Sequence, residues 1–152
     1  MTRLATRPAT GADLPLVEEA ERAYVRDVEP GQESAWTAAL ERNRALWRAN
    51  LARTTVLEAD GEPAGFVMWT PDGGAALVVT VQVLPASRRR GLGRRLLEEC
   101  ARRAAAAGYA EVRLGVHRDN PARALYEAAG FVPAGEDGAY LLYRRTVVPA
   151  AG

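Results

Sequence analysis

The stretch Val81-Gln82-Val83-Leu84-Pro85-Ala86-Ser87-Arg88-Arg89-Arg90-Gly91-Leu92-Gly93-Arg94-Arg95-Leu96-Leu97 constrains the fold more than any other part of the chain. A β-branched apolar run ends at Pro85, a turn of arginine and glycine follows, and an amphipathic pattern begins near Leu92. A strand that passes through a short turn into a helix is a unit of a layered α/β protein. Such a turn leaves the first N–H groups of the helix free, at the positive end of its dipole. Glycine lets an anion approach the backbone closely, and arginine pairs with phosphate through two parallel hydrogen bonds. The stretch reads as a pyrophosphate cradle; a plain strand-to-helix turn with solvated arginines would share the pattern. It is no Walker loop, because Gly-x-x-x-x-Gly-Lys is absent. The dinucleotide fingerprint also fails, because Leu96 stands where its third glycine belongs.

Composition narrows the class. With 48% hydrophobic residues and a net charge of +1, the chain of 152 residues can bury a core and is not a disordered segment. No long linker or repeat interrupts it, so residues 1–152 are expected to form one domain. No apolar run approaches the ~20 residues that span a bilayer, and the first residues lack a secretory apolar segment. One Cys and one His leave no disulfide and no Cys/His metal site. The expectation is a cytoplasmic protein with no membrane and no metal. Balanced charge speaks against nucleic acid, despite the cluster Arg88, Arg89, Arg90, Arg94 and Arg95.

The remaining punctuation gives the order β-α-α-β-β-β-α-β-α-β-β. Arg3 to Arg7 alternates as a strand. Asp13 is a candidate N-cap for a helix running to about Val25. Asp27 to Gln32 is a loop, and Ser34 can cap a second helix whose Trp36, Leu40, Asn43, Trp47 and Leu51 share a face. Asp60-Gly61 joins strands Thr54–Ala59 and Ala64–Thr70 in a hairpin. A buried strand, Ala76–Leu84, precedes the cradle. A helix then runs from about Leu92 to Ala107, with Leu96, Leu97, Cys100, Ala101 and Ala104 inward and Gly108 ending it. Glu111 to Val116 alternates. Asn120-Pro121 reads as N-cap and first turn of a helix ending at Ala129. Phe131-Val132 and Ala139–Arg145 pair across Gly135 to Gly138.

A second motif follows the cradle: Leu114-Gly115-Val116-His117-Arg118-Asp119-Asn120-Pro121-Ala122-Arg123-Ala124-Leu125-Tyr126, closed by Gly130-Phe131. Arg88-x-x-Gly91-x-Gly93 after Val-x-Pro, with this Asn-x-x-Ala-x-x-Leu-Tyr run, resembles the GNAT superfamily of N-acetyltransferases over nearly the whole chain. The resemblance implies a mixed, mostly antiparallel sheet whose central parallel strands splay apart. It implies acetyl-CoA as cosubstrate and a small-molecule or peptide amine as acceptor. Homodimers are common in such families. It places the pyrophosphate on the main chain across Arg88, Arg89, Arg90, Gly91, Leu92, Gly93 and Arg94. The pantetheine would pair with the strand edge at Val81 and Val83, and the Val83 N–H would hold the oxyanion. Asn120 would touch the cosubstrate, although capping explains it equally well. Arg123 would reach the phosphates, although a solvated helix face explains it equally well. Tyr126 would protonate the departing thiolate, with a core aromatic as the alternative.

The general base does not carry over. Many family members place a carboxylate on the strand before the loop, and Leu77 to Leu84 has none. His117 is the obvious titratable alternative; Glu58, Asp72 and water relays stay open. The missing carboxylate also motivates a second reading, a non-catalytic acyl-CoA-binding module. The acidic residues Glu18, Glu19, Glu21, Asp27, Glu29 and Glu33 favour a cationic amine or form a solvated face. Trp36 and Trp47 form either an acceptor wall or core.

Overall fold

A computed structural model describes residues 1–150. One seven-stranded sheet carries the fold, in the order β1-β2-β3-β4-β5-β7-β6. The strands are β1 (Leu4–Pro8), β2 (Thr54–Ala59), β3 (Glu62–Asp72), β4 (Ala75–Val83), β5 (Glu111–His117), β6 (Val132–Asp137) and β7 (Tyr140–Thr146). The helices are α1 (Leu14–Val28), α2 (Glu33–Ala38), α3 (Leu40–Ala49), α4 (Leu92–Ala106) and α5 (Arg123–Ala128). Every neighbouring pair is antiparallel except β4 and β5.

Two cores flank the sheet. On one face α4 buries Leu96, Leu97, Cys100, Ala101 and Ala104 against Leu57, Val67, Ala76 and the inward set Val112, Leu114 and Val116. This is the helical stripe and the strand alternation expected from the sequence. On the other face, Val17 and Trp47 from the N-terminal helices pack on Val56, Phe66 and Met68. The hairpin turn sits at Asp60 and Gly61, both at positive φ (52° and 85°), as the Asp-Gly pair demands. Gly108, at φ +94°, ends α4 while the Tyr109 N–H bonds the Ala104 carbonyl (3.0 Å).

Some boundaries differ from the sequence reading. The second helix is two: α2 stops at Ala38 and α3 restarts at Leu40. Thr37 donates its hydroxyl back to the Glu33 carbonyl (2.9 Å), a bond that bends helices. Ser34 lies inside α2, which is entered from a tight turn over Pro30–Gln32, so it caps nothing. Asp13 does stand at the N-cap of α1, but its carboxylate makes no bond to the first turn of that helix; it accepts the Thr10 N–H (2.8 Å) and pairs with Arg7 (2.9 Å). Asn120 precedes α5 by three residues and is not its N-cap, although its Oδ1 accepts the Ala122 N–H (2.8 Å). The last turn is at Gly138-Ala139, because β6 extends to Asp137 through an irregularity between Pro133 and Gly135.

The site depends on one departure from regular geometry. Trp69 pairs with Val78 and Met68 with Thr80, so Val79 is an extra residue in β4, a β-bulge. Beyond it, β4 and β5 diverge: their parallel pairing is confined to Ala76 with Val112 and Leu77 with Arg113. The strands separate from there to Val83 and His117.

Candidate active site

The bulge decides which side chains face which helix. Val78, Val81 and Val83 pack toward α4, whereas Val79, Thr80 and Gln82 face α1. The Leu84 N–H bonds the Ala64 carbonyl (2.8 Å) across β3. By antiparallel alternation, the N–H and C=O groups of Val81 and Val83 then point away from β3, into the split. The Val83 carbonyl already accepts Arg88 Nε there (3.1 Å).

Past Val83 the chain forms the cradle. Arg89 (φ +66°) and Gly91 (φ +74°) both adopt the left-handed conformation, which is costly for Arg89 and free for Gly91. Gly91 is the N-cap of α4, and a Cβ built on it would meet nothing within 4 Å. The first turn of α4 holds no acidic residue, and its first main-chain bond is the Arg95 N–H to the Gly91 carbonyl (3.2 Å). Free N–H groups, helix dipole and open space therefore coincide. Gly93 has a different role: its Cβ would lie 2.8 Å from Leu125 Cδ2, so it permits α5 to approach α4.

Two cavities meet at the split. The larger, of about 700 Å³, runs from Arg88, Arg89 and Gly91 past Val83 to Pro121 and Leu125. The smaller, of about 180 Å³, lies between β4 and β5 and is lined by Glu21, Glu29, Thr80, His117 and Tyr140, among others. Tyr24, Val81, Gln82, Asn120 and Tyr126 border both. Arg90, Arg94 and Arg123 are exposed and line neither cavity.

Tyr126 is buried, and burial pushes its phenol up to about 12. Its hydroxyl has no hydrogen-bond partner among the described residues, and its ring lies 6.2 Å from that of Tyr143. Asn120 Nδ2 donates to the Tyr24 hydroxyl (3.1 Å), which ties α1 to the α5 approach. Burial raises the Tyr24 phenol well above its ordinary value, with the nearby Glu29 carboxylate adding to it. Tyr140 donates to Glu29 (3.0 Å) and meets His117 edge-on at 5.4 Å.

His117 lines the smaller cavity, with its Nδ1 turned to its own loop, 3.6 Å from the Asp119 carboxylate. Its Nδ1 accepts the Asp119 main-chain N–H (3.1 Å), which assigns the neutral ring's proton to Nε2. The remaining nitrogen is then a donor. Glu58 pairs with Arg7 (3.0 Å), and neither it nor Asp72 lines either cavity of the split. Trp47 is core and Trp36 packs beside it under Arg22, so neither walls the site. The carboxylate the sequence reading did not single out is Glu21 on α1. It accepts hydrogen bonds from Thr80 Oγ1 and from Gln82 Nε2 (3.4 Å). Burial raises its carboxyl above the ordinary value, a shift those two donors partly offset. The available signal was helical spacing: Val17, Glu21, Tyr24 and Val28 fall on one face of α1.

Fold and site together define a split-sheet α/β protein with an open arginine- and glycine-bearing turn at the mouth of the split. The family model described as "Acetyltransferase (GNAT) family" matches residues 16–131, and the chain belongs to that family. A mycothiol acetyltransferase of Clavibacter michiganensis subsp. michiganensis is 44% identical over 84 residues, which make up 55% of this chain and 28% of that protein. The match thus spans little more than a quarter of that relative. The PaiA N-acetyltransferase of Thermoplasma acidophilum, solved with coenzyme A, superposes with a TM-score of 0.79 at 19% identity, covering 95% of this chain and 99% of that one. The ribosomal-protein-S18-alanine N-acetyltransferase of Escherichia coli gives 0.68 at 22% identity, covering 99% and 97%. These likenesses establish the shared fold. Among the described residues no helix is long and apolar enough to cross a membrane, and no cluster of acidic, His or Cys residues is fit to hold a metal.

Proposed function

We propose that residues 1–152 act as one unit that transfers an acetyl group from acetyl-CoA directly to a primary amine. The observation that carries this reading is the meeting of the two cavities at Tyr126, Val81 and Asn120. The larger suits an anionic, extended cosubstrate, and the smaller suits a cationic amine. The open cradle at Gly91 fits a pyrophosphate, and Arg88 and Arg89 supply its countercharge. The split-facing main chain of Val81 and Val83 offers donors for pantetheine amides and for the thioester oxygen. Val81 borders both cavities and is the donor nearer the acceptor. Tyr126 hydrogen-bonds the departing sulfur. The acceptor is an amine of a small molecule or of a peptide. A cytoplasmic setting belongs to this reading.

Calorimetric titration with acetyl-CoA tests the reading, followed by thiol release with spermidine, an alanyl dipeptide amide and glucosamine. Micromolar binding, worth about 8 kcal/mol, is expected for the wild type and none for Gly91→Glu. Its carboxylate would sit in the cradle, on a residue whose backbone is left-handed. Absence of binding by folded wild type would refute the reading.

A further inference from the structure

We infer that Glu21, reaching from α1 onto β4, is the group that takes the proton of the acceptor ammonium. This deepens the acetyl-transfer reading and rests on it. An alkyl ammonium titrates near 10, so at neutral pH the attacking lone pair must be uncovered in the site. β4 carries no carboxylate, yet Thr80 and Gln82 on β4 hold one from the helix opposite. Both donors lie just beyond the bulge, on the stretch of β4 that borders the split. Glu21 lines the smaller cavity and not the larger one, so it faces the acceptor rather than the cradle.

The other groups around that cavity leave the task to Glu21. Glu29 is engaged by Tyr140. His117 presents a donor nitrogen, because its Nδ1 is occupied. Tyr24 and Tyr126 are phenols that burial keeps protonated. No guanidinium lines the cavity to compete for the Glu21 carboxylate. A carboxylate with few solvating partners is also a stronger base than one in water.

The ammonium gives one proton to Glu21, and the freed lone pair forms the N–C bond to the acetyl carbonyl carbon. When the C–S bond breaks, its electron pair leaves on sulfur. Sulfur takes a proton from Tyr126 as the phenol recovers one from the nitrogen, which leaves a neutral amide. The single net proton departs from Glu21 to solvent.

The test is kcat/KM against pH for wild type, Glu21→Gln and Glu21→Asp, read as thiol release with whichever of the three amines the wild type acetylates fastest. At pH 7 about one spermidine amine in 10³ is already neutral, against about one in ten for an α-amine near 8, so Glu21→Gln is expected to lose up to about 10³-fold with the former and about tenfold with the latter. The loss should shrink about tenfold per pH unit as the amine's own pKa is approached. Glu21→Asp should keep the wild-type shape of the profile at a lower height. Acetyl-CoA should bind all three alike. A loss of the same factor at every pH would make Glu21 structural and overturn the assignment. A wild type that binds acetyl-CoA but acetylates none of the amines overturns the acetyl-transfer reading instead.

Discussion

Removing the Tyr126 hydroxyl separates two roles that a buried tyrosine can hold. A phenol at about 12 facing a thiol near 8.5 is the weaker acid by about 3.5 units, so complete proton transfer to a free thiolate is uphill by ~5 kcal/mol. In the proposed transfer Tyr126 is then not a free-standing acid but a hydrogen-bond donor to charge developing on sulfur, and a relay once nitrogen has a proton to return. A hydrogen bond to a charged group is worth about 1.5–3 kcal/mol. Tyr126→Phe should thus slow the chemical step by about 10- to 160-fold, not by the ~10⁴-fold upper range of acid–base catalysis. Single-turnover thiol release under saturating acetyl-CoA reads this directly. Because the hydroxyl has no protein partner among the described residues, the phenylalanine variant should melt within a few degrees of wild type. A rate change below about threefold would show that the hydroxyl never meets the sulfur, and a large drop in melting temperature would reassign Tyr126 to the core.

Two further outcomes follow from packing and burial. In Gly93→Ala the new methyl begins 2.8 Å from Leu125 Cδ2; overpacking costs about 1–3 kcal/mol, offset by ~1 kcal/mol of helix propensity. Net destabilisation in urea of ~0–2 kcal/mol is expected, with weaker acetyl-CoA binding because Leu125 and Gly93 line one cavity; wild-type behaviour in both assays would refute the tight approach. Glu21 has a raised carboxyl pKa in the fold, so between its unfolded and folded pKa the native state holds the extra proton and stability falls as pH rises. Glu21→Gln should therefore melt above wild type at pH 7, with the gap closing near pH 4. A gap that is constant with pH would mean the carboxylate is not desolvated.

Local rules made most of the fold legible. The alternation of Val112, Leu114 and Val116, the stripe on α4 and the Asp60-Gly61 turn each follow from one short window, and each is where those windows put it. The break at Ala39 was hidden because Trp36, Leu40 and Trp47 keep one helical face across it, and the Thr37 bond beside it leaves no mark in hydrophobic spacing. The left-handed turn at Gly91 that leads from β4 into α4 was legible for the same reason as the elements, since it is contiguous in the chain. The N-terminal acidic residues were legible only as a group that included Glu21, without a partner on the sheet. Glu21 and Thr80 lie 59 residues apart, and their contact exists only through packing of α1 across the sheet. A search for a carboxylate along β4 could not find one delivered from another element. Asn120 read as a cap because its Oδ1 does accept a main-chain N–H two residues on, though ahead of α5; its Nδ2 separately donates to Tyr24, which no local window shows.

The extra residue at Val79 acts as a phase shift in the strand's alternation. Before it, odd and even positions of β4 address one pair of helices; after it, the addresses are exchanged. The face that receives Glu21 and the edge that offers Val81 are therefore set by a count of residues as much as by their identity. Loss of one residue there would leave every local propensity intact and still turn Thr80 and Gln82 toward α4. A conservative-looking alignment gap at this point thus marks a change of chemistry, whereas many substitutions of neighbouring side chains do not.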